Sequence, residues 1–345
     1  MKGEKKMERI RHRICLDKIM HKRERQRLFL DRGGELLEEL IAFCNGRSNP
    51  IRNFSLNQLR KAIDDYHPSL PLETHFFVME DSFFKWYKGI LEQRLVFIKM
   101  YMVCNKEVYR DIVVSSQMSS HNNVLKLSGC CLEIPAAPAL VFEYPENGCL
   151  ERLIDDGSLT WGTRLKIAKE IANAVTYLHS AFPRPTIHRD ITPRNIFLNQ
   201  NYDAKLSHFF LSISIPEGES QVEDQFAGTM LFIDPVYFRT GFVTEKTDVY
   251  SFGVLLLVLL TGRRAFQEGI TVTDYVKVLV EQDLVHEAVE PMIRGNGGEA
   301  IDQQQLEAFI ELALRCTNVS GEYRPLMIEV AKELQRIERS ITAAP

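Results

Sequence analysis

The densest run of chemically capable side chains is His188-Arg189-Asp190, with Asn195 five residues after the acid. An imidazole, a carboxylate and a carboxamide can transfer protons and offer oxygen to a cation. Such a tripeptide alone could be coincidence, so its meaning depends on what stands elsewhere in the chain. Cysteine offers no competing centre. The seven cysteines, Cys15, Cys44, Cys104, Cys130, Cys131, Cys149 and Cys316, are odd in number and scattered. They form no Cys-x-x-Cys, and no His/Cys cluster has zinc spacing. A reduced, intracellular protein is the expectation.

The elements that must position these residues come next. Of 345 residues, 45% are hydrophobic and 26% charged, which excludes a disordered chain, a collagen or a membrane bundle. The net charge of −4 is uneven: residues 1–32 hold 12 Lys/Arg against 5 Asp/Glu, so a basic arm precedes an acidic body. That body argues against a nucleic-acid enzyme. The longest apolar run, Val254–Leu260, is too short to span a bilayer. The start, Met1-Lys2-Gly3, carries no apolar signal region or Met-Gly acylation site, and the last residues carry no prenylation cysteine. A cytoplasmic protein is expected, with any recruitment to the plasma membrane made electrostatically or through partners.

Residues 4–30 read as a basic helical arm, broken by Gly33-Gly34, with a short amphipathic helix over Glu35–Phe43. Ser55 is a candidate N-cap for a helix carrying Leu56, Leu59 and Ile63. From about residue 73 short strands are expected: Phe76–Met79, Phe83–Tyr87, Leu95–Met100, Val124–Leu127 and Ala139–Phe142, with one helix around Lys106–Met118. Beyond Asn147-Gly148 the patterning turns helical. Thr163–His179 carries an apolar stripe, and Asp248–Leu260 is apolar on nearly every side and should be a buried central helix. Two amphipathic helices near Gln303–Cys316 and Leu326–Ser340 follow. A β-rich lobe before a helical lobe is an α+β arrangement.

In this setting His188-Arg189-Asp190 with Asn195 resembles the protein-kinase catalytic loop, where the acid orients the substrate hydroxyl and the asparagine holds a metal. Val96-Phe97-Ile98-Lys99 resembles the strand with the phosphate-binding lysine, and Asp111 the helix acid that pairs with it, one methylene short of glutamate. Asp248-Val249-Tyr250-Ser251-Phe252-Gly253 looks like the start of the family's central helix. Gly228-Thr229 and Asp234-Pro235 sit at the end of the activation segment, and Arg324-Pro325 among the last helices. The order of motifs implies a bilobal protein-kinase-like fold, with a small β-rich N-lobe and a larger helical C-lobe. The expected layout is a basic arm over 1–32, a helical leader and linker over 33–72, and a kinase-like domain over 73–340, its lobes 73–144 and 145–340.

The same positions depart from the family where nucleotide and metal bind. The three glycines of the phosphate loop fall on Met79, Asp81 and Phe84. Without glycine the backbone cannot approach phosphates closely, and Asp81 adds a repelling charge. The valine and alanine that roof the adenine become Trp86 and Phe97, so the slot is expected to be filled by protein, unless these rings point into the core of the upper lobe. The metal-binding Asp-Phe-Gly becomes His208-Phe209-Phe210. Imidazole is a poor ligand for magnesium, and as a zinc ligand His208 has no evident second partner. The glutamate of Ala-Pro-Glu becomes Val236 while its usual partner Arg324 stays. Either Arg324 has another partner or the activation segment is loosely held.

Gly129-Cys130-Cys131-Leu132-Glu133 and Phe242–Tyr250 are similar to plant receptor-like cytoplasmic kinases. The leader, Phe29-Leu30, Gly33–Ile41, Cys44–Arg52 and Phe54-Ser55, narrows the resemblance to subfamily XII, the HopZ-ETI-deficient-related kinases. The resemblance covers residues 28–340. It implies an inactive kinase-like immune adaptor that binds a coiled-coil NLR receptor. Such an adaptor senses a bacterial acyltransferase effector directly, or an effector-modified receptor-like cytoplasmic kinase. On that reading Lys99, Asp111, Asp190, Asn195 and His208 are remnants, no metal is held, and ATP binding is weak or absent. A weak or atypical Ser/Thr kinase and a purely structural scaffold are the alternatives. The activation segment, about Leu211–Phe232, is expected to be the mobile surface that reads partners, with Ser212, Ser214, Ser220 and Thr229 as its candidate residues.

Overall fold

The computed structural model describes residues 22–44, 51–64, 83–290 and 302–342. Its first sheet starts with a hairpin of β1 (Phe84–Leu91) and β2 (Arg94–Tyr101). Leu91 pairs with Arg94, and the two turn residues, Glu92 and Gln93, both take positive φ, 51° and 65°. Two consecutive left-handed residues match the right-handed twist of the flanking strands. With β3 (Leu127–Cys131) and β4 (Ala139–Glu143) the sheet is antiparallel in the order β1-β2-β4-β3. Strand β3 thus begins later than the Val124–Leu127 expected from β-propensity. Val124 instead bridges to Leu206, and Leu125 donates to the Leu206 carbonyl.

Alternation along β2 separates two kinds of chemistry. Val96 and Ile98 face a core built with Phe54, Leu59, Ala139 and Val141. Phe97, Lys99 and Tyr101 fall on the opposite face. The leader reaches this sheet as a strand fragment: Phe54 N donates to Cys130 O at 2.8 Å, and Cys130 N to Arg52 O at 2.9 Å. Gly129 makes that approach possible. A Cβ there would lie 2.2 Å from Arg52 O. Ser55 then caps Leu56–Asp64 reciprocally with Gln58, each accepting from the other's backbone N–H.

The leader helix, Lys22–Cys44, runs straight through Gly33-Gly34, where a break was expected. The expected junction at 32/33 falls within it, and residues 1–21 lie outside the described residues. Glycine destabilises a helix by only ~0.5–1 kcal/mol each, which tertiary anchoring outweighs. Arg32 supplies such an anchor. It is buried, donating to the carbonyls of Leu132 at 2.9 Å, Ile134, and Pro135 at 2.9 Å. Glu39 accepts from Arg110 at 3.2 Å, tying the leader to the helix Lys106–Met118.

The second unit comprises Ser120–Leu125 and the chain from Pro145 onward. Its centre is the helix Glu245–Thr261, buried over almost its whole length and closed by a Thr244/Thr247 capping box and Gly262 at φ 64°. Helices Trp161–Ser180, Val272–Glu281 and Gln303–Cys316 pack on it, and Met327–Thr342 packs on the first and last of these. At Gly253 a Cβ would meet Cys316 Cβ at 2.7 Å, so the central helix and Gln303–Cys316 touch backbone to side chain.

Two opposed glycine outcomes follow. Gly33→Ala and Gly34→Ala meet nothing within 4 Å, and each should raise unfolding free energy by ~0.5–1 kcal/mol. Gly129→Ala forces Arg52 off the sheet edge and should cost ~1–3 kcal/mol. Urea denaturation of the three variants checks both signs.

Candidate functional site

In the sheet unit the phosphate-binding lysine position is sealed. Lys99 Nζ and Asp111 Oδ2 lie 2.7 Å apart, with both side chains wholly buried. Asp111 Oδ2 also accepts from the Tyr101 hydroxyl, and Oδ1 accepts from Ser115 Oγ at 3.1 Å. The expected lysine–acid pair therefore meets, closed by an aspartate.

The rings of Phe84, Tyr101 and Trp86 lie 4.3, 4.9 and 5.6 Å from Lys99 Nζ. Such an aromatic cage favours a cation electrostatically. Trp86 stacks on Phe97 with centroids 4.1 Å apart and planes 3° from parallel. Phe142 and Tyr144 pack against the pair. Trp86 and Phe97 are 5% and 4% exposed, and neither joins the core cluster behind the sheet. They occupy the face that carries Lys99. Met79 and Asp81, the first two loop positions, lie outside the described residues. Phe84, at the third, contributes its ring to the cage.

In the helical unit the catalytic-loop motif is held by one buried carboxylate. Asp248 Oδ2 accepts from His188 N and from His179 Nε2, both at 2.8 Å, and Oδ1 accepts from Arg189 N at 2.8 Å. Burial pushes the Asp248 carboxyl up, but the hydrogen bonds and positive charge of His179 and the His188 backbone outweigh it. The group is held below the ordinary aspartate range. These bonds fix Arg189 at φ 68°, a left-handed conformation rare for arginine. His188 Nδ1 accepts from Asp190 N at 3.2 Å, which leaves Nε2–H to donate to Ser207 O at 3.0 Å.

Asp190 is saturated by its own chain. Oδ2 accepts from Asn195 Nδ2 at 2.7 Å, and Oδ1 from Thr229 N at 3.0 Å and Thr229 Oγ1 at 2.7 Å. His208 sits at φ 69° and stacks on Phe210, with centroids 5.9 Å apart. Magnesium prefers hard oxygen donors. An imidazole beside an asparagine engaged with Asp190 does not make that set, so the residues present do not fit the metal the fold uses. Among the described residues no group of three or more His, Cys, Asp or Glu side chains gathers to hold a metal ion. Burial pushes the thiols of Cys130, Cys131, Cys149 and Cys316 up to about 12, which disfavours their reactive thiolate form.

Of the two expectations for Arg324, another partner or a loosely held segment, the first is met. Arg324, buried, found a partner two residues before the lost glutamate. Its Nη2 donates to Asp234 Oδ1 at 2.7 Å, while Nη1 and Nε donate to the carbonyls of Lys246 and Asn318. Asp234 Oδ1 also caps the helix Pro235–Thr240 through Val236 N. Of the four hydroxyls expected on a partner-reading surface, Ser212 is buried, donating to Phe209 O at 2.6 Å, so it cannot serve there. Ser214 meets Thr186 Oγ1 at 3.0 Å, Thr229 is spent on Asp190, and Ser220 is exposed. Tyr101, the pairing of Asp234 with Arg324 and the Thr229–Asp190 bond escaped the motif reading. Tyr101 was findable as the next same-face residue after Lys99; the others depend on how loops fold back.

The protein tyrosine and serine/threonine kinase family matches over residues 80–334. Three Arabidopsis thaliana relatives align over nearly the whole chain. It is 46% identical to serine/threonine-protein kinase ZRK1 (92% of this chain, 93% of the relative) and 47% to non-functional pseudokinase ZED1 (92% and 98%). It is 46% identical to non-functional pseudokinase ZRK2, over 91% of each chain. This chain belongs to the ZRK family. The fold expected from the motif order is therefore the one it has: a protein kinase domain, with a sheet-rich amino-terminal part and a helical carboxy-terminal part. The relatives carry both kinase and pseudokinase names, so membership leaves catalytic status to the residues. No helix among the described residues is long and apolar enough to cross a membrane.

Two substitutions test these anchors. Asp234→Ala strands the Arg324 guanidinium in the interior and should cost ~3–5 kcal/mol in urea unfolding. Asp248 has a lowered folded pKa, so its contribution is complete above the ordinary aspartate value of about 3.9 and lost as pH falls through the folded value. Wild-type stability should fall with acid in that window, and Asp248→Asn should be less stable at neutral pH and flatten the fall. Denaturation midpoints from about pH 7 to about pH 2 read the difference.

Proposed function

We propose that this ZRK-family chain is a catalytically inactive, kinase-like immune adaptor. It binds a coiled-coil NLR receptor and senses a bacterial acyltransferase effector or an effector-modified receptor-like cytoplasmic kinase, acting in the cytoplasm without ATP or metal. The observation that carries the inactive part is the Trp86–Phe97 stack on the Lys99 face, with Lys99 sealed against Asp111. A stacked pair is worth ~0.5–1.5 kcal/mol beyond its buried area, and an adenine there would have to displace it. The magnesium ligand position holds His208, and phosphoryl transfer relies on metal charge for several kcal/mol of its barrier. A binding module has no need of a reactive slot. The names of the relatives ZED1 and ZRK2, each a non-functional pseudokinase, agree with it.

A weak or atypical Ser/Thr kinase is the second reading. It is favoured by the formed Lys99–Asp111 pair, by Asp190 with Asn195, and by the relatives named as serine/threonine-protein kinases. A scaffold without effector sensing is the third.

Thermal unfolding with nucleotide separates the first two. Ligand at a hundredfold over Kd would add ~2.7 kcal/mol of stability. Millimolar ATP with magnesium should leave the unfolding midpoint unchanged; a magnesium-dependent rise of several degrees would overturn the filled slot on which the inactive reading rests. His208→Asp alone should give no turnover of radiolabelled ATP, because positioning in the loop and roof is still missing. Activity should need glycines at positions 79, 81 and 84, small residues at 86 and 97, and Asp at 208 together. Co-purification with a coiled-coil NLR receptor, and a change in that complex when the effector is co-expressed, separates the adaptor from the scaffold.

A further inference from the structure

We propose that Asp224 is a built-in counter-ion that locks the activation segment onto Arg189, holding the segment in place without phosphorylation. Segments of this kind are commonly ordered when a phosphorylated side chain pairs with arginine. Here a carboxylate already fills that role. Arg189 Nη1 donates to Asp224 Oδ2 at 2.7 Å, with the arginine side chain 3% exposed and the aspartate 33%. The proposal does not rest on the adaptor reading, since a locked segment is compatible with an active or an inactive kinase fold.

Both ends of this ion pair are preset. Arg189 is aimed by its backbone, which Asp248 holds in the left-handed conformation, and its Nε donates to Leu211 O. Asp224 is aimed by a short ladder. Val222 pairs with Val243, Glu223 with Phe242, and Asp224 N donates to Gly241 O at 3.0 Å. Tyr237 closes the arrangement. Its hydroxyl donates to Gln225 O at 2.6 Å, accepts from Ala227 N at 3.1 Å and lies 3.3 Å from Arg189 Nη1. At Gly228 a Cβ would sit 2.7 Å from Arg189 O, so only glycine lets the segment pass this close to the loop.

The segment's hydroxyls are committed elsewhere, to Phe209 O, to Thr186 and to Asp190, apart from the exposed Ser220. A phosphate carried to Arg189 would meet the Asp224 carboxylate at the same guanidinium and be repelled. An arginine with one carboxylate and preset geometry gains from a charge-assisted bond what a phosphorylated segment must acquire later. The ladder of two residue pairs is too short to hold the segment by itself.

Amide hydrogen exchange on the full chain tests the lock. Asp224→Asn keeps the shape and removes the charge. It should speed exchange across 222–227 roughly tenfold, the scale of one charge-assisted hydrogen bond. The central helix 245–261 should keep its protection, which shows the variant is folded. Asp224→Glu should restore protection in the segment. Protein from plant cells treated with phosphatase should exchange like untreated protein. Unchanged exchange in Asp224→Asn would overturn the proposal, because the ladder and Tyr237 would then suffice. Loosening of the wild-type segment by phosphatase would overturn it as well. If Asp224→Asn loses protection throughout, the phosphatase comparison on the wild-type chain decides.

Discussion

A carboxylate buried at the start of an apolar helix must be satisfied by donors, and Asp248 draws them from two other elements. It takes two backbone N–H groups from His188-Arg189 and the imidazole of His179. Leaving it unpaired would cost several kcal/mol, so the loop after Thr186-Ile187 has little freedom. The left-handed Arg189 is a consequence, not an independent feature. From it follow the direction of the guanidinium, the reach to Asp224 and the position of Asp190 beneath Thr229. The unit keeps the framework of a catalytic loop because that framework is bound into its core.

The sheet unit keeps a different part of the inheritance. A lysine and an acid buried together are expensive to separate, since removing either leaves a lone charge. Once Tyr101 and the surrounding rings satisfy and cover the pair, it behaves as a structural tie between strand β2 and Lys106–Met118. Retention of Lys99 is therefore weak grounds for catalysis. The same residues serve a kinase when the face above them is open and serve stability when aromatic rings fill it. The leader adds a second constraint on that helix through the Glu39–Arg110 pair, and Arg32 ties the leader to the carbonyls that follow β3.

The two units illustrate why a family can hold proteins named as kinases and as pseudokinases at similar identity. The ties that maintain the fold, Asp248, Arg324 and the central helix, are separate from the few positions that hold nucleotide and metal. Substitution at Trp86, Phe97 or His208 changes what the surface can bind without breaking a buried charge pair. Where a tie did change, at Val236, Asp234 took over Arg324 from two residues earlier.

Much of this was legible in the residues alone. Helix and strand periodicity marked Lys106–Met118, the central helix and the last two helices, because each buries one face or all of it against a core. Motif order marked the kinase fold, and the residue types at 86, 97 and 208 marked where the chain departs from it, because two large rings and an imidazole are no equivalents of small side chains and a hard oxygen donor. Three things were decided only in three dimensions. The leader helix crosses Gly33-Gly34 because Arg32 anchors it to carbonyls a hundred residues away, and local propensity carries no record of that bond. Trp86 and Phe97 fill the Lys99 face rather than the core because strand register, not composition, assigns faces. Asp224 and Asp234 became the partners of Arg189 and Arg324 because the loops of the activation segment folded back and brought acids with no marked pairing within reach of buried cations. Side-chain type states which bonds a residue can make; only the path of the chain states with whom.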